Sequence, residues 1–153
     1  NDDRGHLRRS LAWLQRQSDG RTFGYRQAGV LPPGGAGGLT LTAMAAATLL
    51  DAARAYPALL PAAETAADAL RQPRFRDETE VPDYYRDYFL ARVSAGIADR
   101  RALDEIQARL ARAPAAGGAG GAHWVANDAW RQAGGDLYAT SLALLSPRTG
   151  RLP

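Results

Sequence analysis

The chain has 153 residues and a formal net charge of +3. That length is enough for one domain that buries roughly two-thirds of its unfolded surface without a metal or a disulfide. The absence of cysteine excludes disulfides, thiolate metal sites and thiol nucleophiles. All 19 basic residues are arginine, which excludes Schiff-base lysines and the phosphate-binding lysine of a P-loop.

Charge pattern and hydropathy limit the partners and the location of the protein. Acidic residues are interspersed with the arginines, without a basic run of the kind that binds nucleic acid, so no nucleic-acid partner is predicted. The longest apolar stretch, residues 39–53, contains Asp51 and is shorter than the roughly 20 residues that span a bilayer, so no transmembrane segment is predicted. A first residue other than methionine is compatible with a processed bacterial envelope protein, and we expect a periplasmic or extracytoplasmic location.

The first half of the chain predicts three helices, which end near residue 19, cover residues 39–55 and cover residues 61–70. Leu7, Leu11 and Leu14 recur at helical spacing in the first helix, which predicts one buried face. The second helix is apolar on nearly every side, and such a helix is normally surrounded by protein. The third helix begins near Pro61, because proline is tolerated in a first turn.

The second half predicts three more helices, which gives an all-α fold. The fourth is rich in aromatic residues and ends near Gly96, and Asp99 is placed to cap the fifth. Asp136 is placed to cap the sixth, which covers residues 137–145. Successive pairs of helices begin about 45–50 residues apart, which is typical of a repeat of helical hairpins. We therefore predict a single helical-repeat domain, residues 1–153, with hairpins at about residues 5–56, 57–97 and 98–147.

Two glycine-led segments support the repeat directly. Residues 37–45, GGLTLTAMA, align without a gap with residues 135–143, GDLYATSLA. Residue 37 thereby pairs with residue 135, and residue 45 pairs with residue 143. The spacing between the two segments corresponds to two hairpin repeats.

Three segments carry a resemblance to the prenyltransferase and squalene-oxidase repeat. They are residues 15–24, QRQSDGRTFG, which are similar to the family's Q-x-x-x-D-G-x-x-(F/W)-G turn, residues 84–92, YYRDYFLAR, and residues 134–145, GGDLYATSLALL. This repeat builds the α-α toroid of terpenoid cyclases and protein prenyltransferase β subunits, and the chain resembles short bacterial members. The resemblance implies that the helix after each glycine turn lies in an inner ring and the preceding amphipathic helix in an outer ring.

The resemblance also implies an incomplete ring. Complete toroids of the family use about six hairpins, whereas this chain has three, so we predict a partial α-α toroid with exposed inner-helix surface and two open ends. Such surfaces are normally covered by another copy or by another protein. We therefore predict a homo-oligomer or a protein partner.

The catalytic motifs of the family do not transfer to this chain. Protonation-driven cyclases use a D-x-D-D motif, but the nearest acidic cluster here, residues 77–80 with Asp83, has a different spacing. The zinc site of the prenyltransferases needs a cysteine, which the chain lacks. The acidic cluster could bind a hard cation such as calcium, but we favour a solvated loop that complements the start of the next helix. No metal, cofactor or catalytic residue is predicted.

Other chemically suggestive residues have structural interpretations that we favour. His123 could act as a base or metal ligand with Asn127 or Asp128, but an anchor for Trp124 is the favoured role. Ser141 lacks a G-x-S-x-G elbow and falls inside a predicted apolar helix. The two GGAGG segments are read as hairpin connections rather than phosphate-binding loops.

Aromatic residues supply the candidate site. The residues of the fourth helix could line a groove for an isoprenoid, a haem edge or a partner's side chain, but core packing in the inner ring is favoured. Exposed tryptophans would be good interface anchors. The candidate interface or pocket residues are Trp13, Tyr84, Tyr85, Tyr88, Phe89, Arg92, His123, Trp124, Trp130 and Tyr138.

Architecture without recognisable catalytic residues favours a non-catalytic interaction or scaffold subunit of a larger assembly. The alternative is a small isoprenoid- or lipid-binding protein, or a cyclase-like enzyme, that uses the aromatic inner helices as its pocket. A third possibility is an ordered part of a longer enzyme whose other hairpins carry the active site.

Overall fold

The structure is a computed structural model that describes residues 3–24, 37–72, 83–112, 115–116, 123–128 and 130–147. These residues form α1 (Asp3–Arg16), α2 (Gly37–Ala53), a 3₁₀ turn (Pro57–Leu59), α3 (Leu60–Leu70), α4 (Tyr84–Gly96), α5 (Arg100–Arg112), β1 (Ala115–Ala116), β2 (His123–Trp124) and α6 (Arg131–Leu145). The predicted all-α class is confirmed. The chain divides into two compact units, Asn1–Arg76 and Asp77–Pro153.

The sixth helix differs most from its prediction. It begins at Arg131 rather than near Leu137, and it is interrupted at Gly135, whose φ of 55° and ψ of −159° are not helical. Gly134 completes an extra helical turn before this interruption, and glycine tolerates the positive φ at Gly135. Asp136 does not cap the helix as predicted, because its Oδ1 accepts a hydrogen bond from the backbone N–H of Ala126 at 2.8 Å.

Unit 1 is organised around α2. This helix packs against α3 and the 3₁₀ turn, and Ala43, Ala46 and Leu49 on it are completely buried. Burial on several sides is the outcome that its all-round apolar sequence predicts. In α1, Leu11 is buried, and the guanidinium of Arg8 lies 6.0 Å from the ring centre of Tyr56.

The turn after α1 is held by the side chain of Asp19. Its Oδ1 accepts hydrogen bonds from the backbone N–H groups of Arg21 at 2.9 Å and Thr22 at 2.7 Å. The Thr22 hydroxyl donates to Oδ2 at 2.9 Å. Gly20 has a φ of 96°, which glycine adopts without strain. The turn then positions Phe23, whose backbone N–H donates to Oγ1 of Thr42 on α2 at 3.1 Å.

We predict that Asp19→Ala lowers the free energy of unfolding by about 1–2 kcal/mol, because three donors lose their acceptor. Hydrogen bonds from Thr22 and Arg21 lower the pKa of Asp19 below its model-compound value of 3.8. The stabilisation is therefore present above that pH and lost as the pH falls through the folded-state pKa. Chemical denaturation at neutral and acidic pH measures both effects. The control Asp68→Ala, on an exposed pair with Arg71, should change stability by no more than about 0.5 kcal/mol.

Unit 2 packs α4, α5 and α6 around one core. The buried members of that core are Tyr84, Ala91, Leu103, Ile106, Leu110, Ala139 and Ala143. The predicted cap of α5 is confirmed, since Oδ1 of Asp99 accepts from the backbone N–H of Ala102 at 3.1 Å. Asp83 caps α4 in the same way, and its Oδ1 accepts from the backbone N–H of Arg86 at 3.0 Å. The short β1–β2 pair is antiparallel.

Candidate interaction surface

A buried ion-pair cluster joins α4 to α5. Asp87 is completely buried, and Arg109 reaches it from α5 with Nε 3.0 Å from Oδ2 and Nη2 2.7 Å from Oδ1. Nε of Arg86 donates to Oδ1 of Asp87 at 3.2 Å. Two guanidinium groups on one carboxylate compensate its loss of water, and the bidentate geometry of Arg109 fixes the position of α5 on α4.

Residues 123–128 are bonded to all three helices of unit 2. The Trp124 backbone N–H donates to Oγ1 of Thr140 on α6 at 3.0 Å, and its indole Nε1 donates to the Leu110 carbonyl on α5 at 2.9 Å. The Tyr84 hydroxyl on α4 donates to the Val125 carbonyl at 3.1 Å. The contacts that hold Trp124 therefore come from Thr140 and Leu110 rather than from the favoured anchor His123, and the segment links the three helices to one another.

Asp128 is the polar centre of this segment. Its Oδ2 accepts from the Tyr84 backbone N–H at 3.2 Å and from the Tyr138 hydroxyl at 3.1 Å. Its Oδ1 accepts from the Trp130 backbone N–H at 2.9 Å. Burial raises the pKa of Tyr138, and the neighbouring Asp128 carboxylate raises it further. Tyr138 therefore remains a neutral hydrogen-bond donor, which gives it a positioning role.

His123 is paired with a residue that the sequence interpretation did not select. Its Nε2 lies 3.2 Å from Oδ2 of Asp136, and both side chains are exposed. Neither Asn127 nor Asp128 is its recorded partner. An exposed pair of this kind contributes little to stability. Over the part of the chain that the structure describes, no group of three acidic or histidine side chains is arranged to hold a metal.

Four aromatic residues form a cluster, which we call the aromatic cluster: Tyr85, Tyr88, Phe89 and Trp130. Tyr85 lies 5.2 Å from Phe89 and 5.6 Å from Trp130 between ring centres. Phe89 lies 5.0 Å from Tyr88, and the Arg92 guanidinium lies 5.7 Å from the Tyr88 ring. The rings on α4 are half-buried and Trp130 is 48% exposed. Five of the ten candidate residues are thus brought together on a partly open surface.

The remaining candidates lie elsewhere. Tyr84 is only 1% exposed, so it lies in the core, the position favoured for the aromatic residues of this helix, and its hydroxyl donates within the chain. Trp124 and Tyr138 are half-buried, with their polar atoms bonded as described above. Trp13 is an exposed residue of α1 and belongs to unit 1. Adjacent residues of α4 therefore differ in burial, because Tyr84 lies in the core and Tyr85 lies in the half-buried aromatic cluster.

The sequence interpretation missed an exposed row of leucines on α6. Leu137, Leu144 and Leu145 are all exposed, and helical spacing places them on one face, together with half-buried Ser141. Ala139 and Ala143, buried against the core, lie on the opposite face. We call the three leucines the leucine stripe. The sequence signal for it was a helix that is apolar on both faces.

Comparison with protein-family models, curated proteins and solved structures gave no significant match. Among the described residues, no helix is long and apolar enough to cross a membrane. The predicted acidic cluster at residues 77–80 and the glycine loop at residues 117–121 lie outside the described residues.

Proposed function

We propose that the chain is a non-catalytic interaction subunit, built from three helical hairpins of the prenyltransferase-repeat type in a partial α-α toroid. The leucine stripe of α6 carries this proposal. Burying one leucine side chain is worth about 1.5–3 kcal/mol, and contiguous exposed apolar residues mark interaction sites in folded proteins. A helix that is apolar on both faces is normally enclosed on both.

The repeat part of the proposal is supported by a contact that occurs in both units. The backbone N–H of Phe23 donates to Thr42 at 3.1 Å, and that of Trp124 donates to Thr140 at 3.0 Å. Thr42 and Thr140 occupy equivalent positions in the alignment of residues 37–45 with residues 135–143. Each aromatic residue also belongs to an antiparallel pair that follows an amphipathic helix. This shared contact supports a hairpin design that occurs in both units.

The non-catalytic part of the proposal is supported by acidic side chains whose oxygens accept hydrogen bonds within the chain. Both oxygens of Asp87 accept from arginine N–H groups. Both oxygens of Asp128 accept hydrogen bonds, from Tyr84 on α4, from Tyr138 on α6 and from the backbone N–H of Trp130. One oxygen of Asp136 accepts from a backbone N–H, and the other lies beside His123. These carboxylates hold the fold together.

A lipid- or isoprenoid-binding role is the second candidate, and one observation favours it. Burial raises the pKa of Asp83 above its usual value, although the backbone N–H and the charge of Arg86 act in the opposite direction. A carboxyl group of raised pKa is the kind of acid that a cyclase needs. Asp83 directly precedes α4, the helix that carries most of the aromatic cluster. In this role the cluster would contact the hydrocarbon.

Native mass spectrometry of the protein isolated from its source distinguishes the two candidates. We expect an assembly larger than the 16.3 kDa chain and no retained small molecule. A 16.3 kDa monomer with a lipid-sized adduct would overturn the interaction role and support the lipid-binding role. Fractionation of the cells before isolation tests the predicted extracytoplasmic location at the same time.

A further inference from the structure

The leucine stripe has a covered counterpart on α2. In the alignment of the two glycine-led segments, Leu137 corresponds to Leu39, and extending it by two residues pairs Leu144 with Ala46 and Leu145 with Ala47. The three α6 leucines are 79%, 57% and 66% exposed, in chain order. Their α2 counterparts are 9%, 0% and 2% exposed. The same face of the same type of helix is therefore closed in one unit and open in the other.

The residues that follow α2 form two elements that pack against it. The 3₁₀ turn and α3 come next in the chain, and both pack against α2. The buried residues of these two elements are apolar, and they include Leu59, Ala63, Ala66 and Ala67. Under the hairpin division, α3 is the first helix of the next hairpin. The leucine stripe is accordingly suited to the first helix of another hairpin.

The chain itself carries a first helix whose apolar side is incompletely covered. In α1, Leu11 is 6% exposed, but Leu7, one turn earlier in the same apolar stripe, is 45% exposed. Trp13 on the same helix is 52% exposed. Helix α1 therefore retains apolar side chains that its own unit does not bury. One copy of the chain thus has two exposed apolar surfaces, the leucine stripe on α6 and the exposed apolar residues of α1.

We propose that the leucine stripe of one copy packs against α1 of a second copy, in the way that α2 packs against α3. This inference rests on the proposed interaction role and names the partner. The contact is head-to-tail, because it joins different surfaces of identical chains. Arg8 and Arg9 flank Leu7 in the sequence, so a positive charge placed in the stripe would face the basic side chains of α1.

The test uses the full chain, purified alone, with its mass followed by analytical ultracentrifugation over a range of concentrations. We expect wild type to self-associate, and Leu144→Arg and Leu7→Arg each to raise the dissociation constant at least about tenfold. Leu60→Arg is the matched control, because Leu60 is also exposed, at 42%, but lies outside both surfaces. Circular dichroism checks that each variant retains its helices, which the exposure of the substituted leucines favours.

A mixing experiment tests the head-to-tail arrangement. The Leu144→Arg copy keeps an intact α1, and the Leu7→Arg copy keeps an intact stripe, so together they can form one contact. With one variant labelled with ¹⁵N, native mass spectrometry should detect a mixed dimer at concentrations where neither variant associates alone. Wild type that stays monomeric, variants that associate like wild type, or mixtures that form no mixed dimer would each overturn the proposal.

The two proposals fail in different ways. A purified chain that is monomeric, but that belongs to a complex with a different protein when isolated from its source, overturns self-association and leaves the interaction role standing. A chain that is monomeric in both experiments overturns both.

Discussion

The Asp87→Asn variant is expected to lose about 3–5 kcal/mol of unfolding free energy, the largest effect of any single substitution considered. Asp87 is fully buried, and it is the recorded counter-charge for Arg109 and Arg86. Asparagine keeps the size of the side chain but removes the negative charge that Arg109 and Arg86 share at this buried position. Because the whole domain is stable by only about 5–15 kcal/mol, a substantial fraction of its stability would be lost. Urea denaturation measures the change.

An exposed pair on α5 provides the control for Asp87→Asn. Arg101 and Glu105 form an ion pair at 2.9 Å with both side chains largely in solvent. Glu105→Gln should change the unfolding free energy by less than about 0.5 kcal/mol. A similar small change in both variants would contradict the assigned role of the buried cluster.

The Asp128→Ala variant is expected to lose about 3 kcal/mol of unfolding free energy. The backbone N–H groups of Tyr84 and Trp130 and the hydroxyl of Tyr138 would all lose the carboxylate that accepts their hydrogen bonds. Hydrogen exchange gives a local measurement, since the backbone amides of Tyr84 and Trp130 should lose protection. Tyr138→Phe removes only one of the three donors and should cost about 1 kcal/mol. Equal losses in the two variants would show that the backbone contacts of Asp128 contribute nothing.

Local features of this fold could be predicted from the sequence, because their causes lie within a few residues. The end of α4 at Gly96 and the capping of α5 by Asp99 depend on neighbouring backbone groups, and both were predicted. The start of α6 was not, since a glycine pair is equally compatible with a loop and with a helix interrupted at Gly135. The division into three hairpins and the toroid remain predictions.

The long-range contacts of the candidate site could not be predicted. Asp87 and Arg109 are 22 residues apart in the sequence, and nothing in the spacing of either marks the other as its partner. The sequence singles out the aromatic residues of α4 as a group, but neighbouring positions such as Tyr84 and Tyr85 could not be assigned to core or surface without the packing of α6. The exposure of Leu144 was missed for a related reason. A helix with apolar residues on every side is predicted to be buried, but the sequence does not show which element packs against each of its faces.

The anchoring of residues 123–128 has a consequence for the order in which the protein forms during synthesis. In unit 1, α3 follows α2 closely along the chain, so these packing partners leave the ribosome almost together. In unit 2, Tyr84 bonds to Val125 and Asp128, which are 41 and 44 residues further on. Contacts between distant residues form slowly, because a long loop must first close. The first unit can therefore complete its core before residues 123–128, which contact α4, have been synthesised.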